Sequence, residues 1–106
     1  MAGINKLSPQ LVYQKAVDAF NDSNFDTAES YLMFMVRQAP FISKNSAAYN
    51  LLGLIYHEKN MFNQSIKFLR KSLEINPGNS EARVNLSILL CDLGLYNDAE
   101  KVFTGL

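Results

Sequence analysis

Two side-chain pairs stand out as candidates for chemistry. His57 precedes Glu58, and Cys91 precedes Asp92. A thiol beside an imidazole is the raw material of a cysteine nucleophile, provided the two touch and a third group orients the base. His57 is the only histidine and Cys91 the only cysteine, so no His-based metal cluster and no intrachain disulfide can form. Gly53 and Gly94 are isolated, and no glycine-rich phosphate loop is present. These residues read as surface or groove positions of a non-enzyme that needs no cofactor.

Composition narrows the class further. The chain has 106 residues, 48% of them hydrophobic, with 19% charged and a formal net charge of zero. That suits one domain over residues 1–106. Nucleic-acid binders usually carry a basic excess, and none is present. The cluster from Lys67 to Lys71 reads as a solvated helix face. The tyrosines and phenylalanines lack the basic interleaving of a base-stacking platform. No apolar run approaches the ~20 residues of a membrane span, and residues 1–10 lack a signal-peptide core. The expectation is a soluble, cytoplasmic protein that meets neither nucleic acid nor membrane.

The elements behind these residues follow a helical grammar. Tyr49, Leu52, Gly53 and Tyr56 form one stripe, with Ser46 as the expected N-cap. Lys59-Asn60 interrupts it. Phe62, Ser65, Ile66, Leu69, Ser72 and Leu73 form a second stripe, ended by Asn76-Pro77-Gly78. The grammar returns from Ser80, with Leu86, Ser87 and Leu90, a turn at Leu93-Gly94, then Tyr96, Ala99 and Phe103. It also occurs earlier. Ser8-Pro9 starts a helix, Ala16 and Ala19 lie in its stripe, and Asn21 to Asn24 make the turn. Phe25, Ala28, Leu32 and Met35 carry the next helix to Ala39-Pro40, and Ser43 to Asn45 separate this unit from the following one. The small residues at matching slots mark close approach between helices. The units span 9–42, 46–79 and 80–106, and no stretch reads as a strand.

This pattern resembles the tetratricopeptide repeat, whose period is about 34 residues and whose signature is W-x2-L-G-x2-Y, then A-x3-F, then P. The middle unit places Tyr49 for the Trp, then Leu52-Gly53, Tyr56, Ser65, Leu69 and Pro77. The third matches at Leu86, Ala99 and Phe103, with Arg83, Ser87 and Leu90 in the other slots. The first carries Val12, Lys15, Ala16, Ala19, Ala28, Leu32 and Pro40. The resemblance implies an all-α fold: three helix–turn–helix repeats stacked as a short right-handed α-solenoid.

It also implies where a partner would sit. In the resembled family the first helix of each repeat lines a concave groove. Those slots fall on Tyr13, Gln14, Val17, Phe20 and Asn21; on Asn50, Leu51, Leu54, His57 and Glu58; and on Glu81, Val84, Asn85, Ile88, Cys91 and Asp92. The clamp by which some members hold a chaperone's C-terminal carboxylate needs Lys, Asn and Arg. Here its slots carry Tyr13, Val17, Leu51 and Glu81, with Asn85 the polar match and no cation, so a chaperone tail is not the expected partner. The helix from Ala47 to Tyr56 is apolar nearly all round, and Leu54 with Val17 and Ile88 needs a cover. The expected partner is a protein segment with apolar anchors, held in register by Asn50 and Asn85. The alternatives are an assembly or secretion-type chaperone and a self-assembling scaffold. Met33-Phe34 is expected on the outer side of its helix as a second interface. No polar cap follows the third repeat, which makes the C-terminal end a candidate contact between copies.

Overall fold

A computed structural model describes residues 7–38 and 45–105. It contains α1 (Pro9–Asn21), α2 (Phe25–Gln38), α3 (Asn45–Glu58), α4 (Phe62–Ile75), α5 (Ser80–Asp92) and α6 (Tyr96–Thr104), and no strand among the described residues. The pairs α1/α2, α3/α4 and α5/α6 form helical hairpins, and each helix also packs on its successor. The first helices α1, α3 and α5 adjoin one another along one side. The array is an α-solenoid measuring 45 × 25 × 17 Å. No described helix is long and apolar enough to cross a membrane.

One turn is used three times. Ser23, Asn60 and Gly94 occupy the same slot between the helices of a hairpin, with φ of 61°, 59° and 80°. The left-handed region costs glycine nothing and asparagine little, whereas serine enters it only under outside constraint. The constraint is a repeated set of backbone bonds. Ser23 N–H donates to Phe20 O, and Asn24 N–H to Ala19 O; Asn60 and Met61, then Gly94 and Leu95, make the same pair with His57 and Tyr56, then Cys91 and Leu90. At the chain's first helix, Ser8 caps α1 by accepting from Leu11 N–H, and Pro9 follows it.

Packing explains the small slots. The Ser65 hydroxyl donates to Gly53 O at 2.6 Å, holding α4 against α3 at closest approach. Leu69 lies over the same glycine and joins Leu86, Leu89, Leu90 and Ala99 in one buried cluster. Ala16, Ala28, Leu32, Leu52 and Ile55 build the other.

Ser46 does not cap its helix. It lies one residue inside α3, and its hydroxyl is buried against Ser72, donating to Ser72 O at 2.9 Å. The Ser72 hydroxyl donates back to Ser46 O at 2.7 Å. Asn79 completes the knot. Its Nδ2 reaches Ser46 Oγ at 2.9 Å and Ser72 Oγ at 3.2 Å, while its Oδ1 accepts from Ala82 N–H and so caps α5. Three helices are tied by one side chain. Asn79→Ala is expected to lower unfolding free energy by about 1–2 kcal/mol, since it removes the α5 cap and two amide bonds to hydroxyls that keep only each other and each other's carbonyls; urea denaturation checks this. The stops read at Ala39-Pro40 and the spacer residues 43–44 lie outside the described residues.

A polar cluster fastens α2 to the end of α3. The Tyr56 hydroxyl donates to Glu29. Lys59 Nζ donates to Asp26 at 2.7 Å and to Glu29 at 3.1 Å. Bonding to Glu29, then burial, holds the Tyr56 phenol above its ordinary range. Hydrogen bonds to Asp26 and Glu29 raise Lys59, and the bond from Lys59 lowers Asp26. Burial likewise raises Tyr13 and Tyr49. Groups that hold their protons better when folded stabilise fully below their unfolded pKa and lose that contribution as pH rises. Stability should therefore fall above about pH 10, and Tyr56→Phe should blunt the fall. The depressed Asp26 works in the opposite sense: its contribution is present above the ordinary carboxylate range and lost in acid. Denaturant midpoints measured across pH test both limbs.

Candidate partner-binding groove

The concave face is built from register. Val17, Leu54 and Ile88 each follow the small residue of their first helix, Ala16, Gly53 or Ser87, so they form a row across α1, α3 and α5. Val17 and Leu54 are half-buried against the first core cluster. On α5 the row emerges: Ile88 is 53% exposed and Val84 is 42% exposed. Leu54, His57, Asn85 and Ile88 surround a notch of about 70 Å³ between α3 and α5.

A polar chain crosses the floor beside this row. Asn85 Nδ2 donates to Asn50 Oδ1 at 3.0 Å, and Asn50 Nδ2 donates to Glu81 Oε1 at 3.2 Å. Tyr13 on α1 lies close enough to Glu81 on α5 for its phenol to be raised by that charge, after burial as the larger cause. Packing of α3 against the helices on either side decides the fate of the second repeat's apolar helix. Leu51 is only 7% exposed and sits in the core, and Asn50 is 5% exposed. The amides expected to bond a partner backbone bond each other and Glu81.

Other expected positions lie apart from this centre. Gln14 is exposed and donates to Asp18 at 2.9 Å. Phe20 packs on Phe25 with ring centroids 5.5 Å apart. His57 faces the Phe62 ring at 5.7 Å, and no hydrogen bond joins it to Cys91 among the described residues. Cys91 and Asp92 are exposed. Met33 and Phe34 stand on α2, in the other layer, and both are half-buried, with Met33 packed on the first core cluster. Among the described residues no three metal-ligating side chains gather.

Comparison with known proteins gives the family. A sequence model of the tetratricopeptide repeat matches residues 46–79, and a second matches 68–101. The chain belongs to the tetratricopeptide repeat family. Tetratricopeptide repeats are generally protein–protein interaction modules, and solenoids of this kind offer extended concave binding surfaces. No curated protein sequence matches the chain. Among solved structures, the crystal structure of MamA superposes with a TM-score of 0.81 at 23% identity, over 92% of this chain. At that identity the likeness speaks for the tetratricopeptide fold alone, and the chain spans 55% of the MamA chain's length.

Proposed function

We propose that this chain is a protein-interaction module that holds a partner segment with apolar anchors on the concave face of α1, α3 and α5. One observation carries the reading. Ile88 and Val84 are large apolar residues left exposed on the face that also bears Leu54 and the notch, while the equivalent large residues of the core slots are buried. Apolar area of this kind gains free energy when a partner covers it. Its exposed position makes it replaceable, which separates binding from folding.

A second reading, contact between copies, is favoured by α6. Phe103 stands in the slot that Leu69 fills on α4, and Tyr96 in the slot of Phe62. Leu69 is covered by α5, whereas Phe103 is 63% exposed and Tyr96 is 68% exposed. A head-to-tail contact is disfavoured, because α1 presents Lys15 and Asp18 where α3 and α5 present Leu52 and Leu86, Ile55 and Leu89. Paired α6 helices around a two-fold axis fit better.

The two readings part in one capture experiment, using wild type and a Val84→Glu/Ile88→Glu variant as baits in lysate from the source cells. Both sites are exposed, so the variant should keep its helical circular dichroism. A protein retained by wild type, lost from the folded variant and rebinding when purified supports the groove. Equal captures dominated by the bait's own chain support α6. An unfolded variant contradicts the assignment of these residues to the surface.

A further inference from the structure

The first helices carry an excess of acids, Asp18, Glu58, Glu81 and Asp92 against Lys15 and Arg83, whereas acids and bases balance over α2, α4 and α6 together. Glu58, Glu81 and Asp92 occupy concave slots of α3 and α5. The nearby cations are committed elsewhere. Arg83 donates to Val102 O at 2.7 Å and to Pro77 O at 2.6 Å. Lys59 is held by Asp26 and Glu29. Lys15 stands on the outer slot of α1, and Lys67, Arg70 and Lys71 belong to α4 in the opposite layer.

Glu81 differs from an ordinary surface carboxylate in being placed. Asn50, itself backed by Asn85, fixes one oxygen through a bond of 3.2 Å, and the side chain remains solvent-exposed. Glu81 forms no ion pair among the described residues. An oriented, exposed anion beside an apolar row is the complement of a cation next to apolar side chains. Because Glu81 keeps its water-facing side, an ammonium or guanidinium can pair with it without the cost of burying a charge. A segment rich in carboxylates would instead meet three like charges, with no uncommitted cation beside them among the described residues.

We propose that the groove takes a cationic amphipathic segment, with apolar side chains along Val17, Leu54 and Ile88 and a lysine or arginine against Glu81. A further cation on the opposite flank would face Glu58 and Asp92. The proposal rests on the groove reading above and adds the charge of its occupant.

Three synthetic peptides test it, sharing one apolar face and differing only in whether their flanks carry lysine, glutamine or glutamate. Binding is followed by NMR titration of the whole chain. The lysine peptide should bind about tenfold more tightly than the glutamate peptide at low salt, with shifts centred on Leu54 and Ile88, and added salt should narrow the gap. Glu81→Gln with Glu58→Gln and Asp92→Asn should erase the preference, since glutamine still accepts the Asn50 bond and only charge is lost. Equal binding by all three peptides at Leu54 and Ile88 overturns the charge inference and leaves the groove standing. A lysine preference that survives in the triple variant also overturns it. Silence from all three, or shifts confined to α6, defeats the groove reading and this inference together.

Discussion

Leu69→Ala is expected to lower the unfolding free energy by about 2–5 kcal/mol, the largest effect expected of any single truncation in this chain. Leu69 is 1% exposed and packs with Leu86, Leu89, Leu90 and Ala99. It also lies directly over Gly53. One side chain therefore seals both the contact within the second hairpin and the contact from the second hairpin to the third. Removing it leaves a cavity walled by three helices, and none can close it without loosening another. Because a solenoid repeat contacts only its neighbours, the loss should broaden the urea transition as well as shift it, with α5 and α6 released first. Residue-resolved hydrogen exchange would show this as lower protection in 80–105 than in 9–38. Uniform loss across the chain would mean that the array unfolds as a single unit.

Gly53→Ala is the second large effect, and its sign is the informative part. Alanine is the better helix former by up to ~1 kcal/mol, so on an open helix face the change would stabilise. Here the added methyl would stand 2.6 Å from Leu69 Cγ, 2.7 Å from Leu69 Cδ2 and 3.3 Å from Ser65 O. Leu69 cannot swing away, since its far side is packed. The Ser65 hydroxyl bond to Gly53 O fixes the helix spacing from the other direction. A net loss of about 1–3 kcal/mol is expected, as for other overpacked cores. The two substitutions should not add. Truncating Leu69 makes room for the methyl at position 53, so the Gly53→Ala/Leu69→Ala double variant should be more stable than the sum predicts by about 0.5–2 kcal/mol. Additive losses would place the strain somewhere other than this contact.

These two residues also show what local sequence carries. Gly53 and Leu69 were legible because a tight crossing demands a small residue opposite a large one, and the same demand recurs at Ala16, Ser87 and Ala99. The hairpin turns were legible from Asn60 and Gly94, residues that tolerate the left-handed region. Ser23 occupies the same slot without that tolerance, and the repeat register alone points to it.

What escaped were bonds between residues far apart in the chain. Serine before an apolar stripe reads as a cap, but Ser46 has its partner in Ser72, on the other helix of its hairpin. Asn50 and Asn85 read as free amides for the same reason: each is polar on a lining helix, and nothing nearby in sequence says that the stacking of α5 on α3 brings them together. Leu51 reads as groove, and it is the packing of the first core cluster around α3 that buries it. Met33 reads as exposed, and its half-burial comes from the packing of the first core cluster. The acidic excess of the first helices was invisible in composition, because a net charge of zero does not say which helix carries which charge.

The central claim is that a partner covers the concave face, and the chain carries its own reporter for that. Cys91, the only cysteine, is exposed and shares a slot with His57 and Phe20 on the lining helices. The most direct measurement is the rate at which iodoacetamide alkylates the Cys91 thiol, with and without the captured partner at saturation. The account predicts that the bound partner slows alkylation several-fold and that Val84→Glu/Ile88→Glu restores the free rate. A partner that binds at full affinity while Cys91 reacts as fast as before would place the interaction on another surface and contradict the groove.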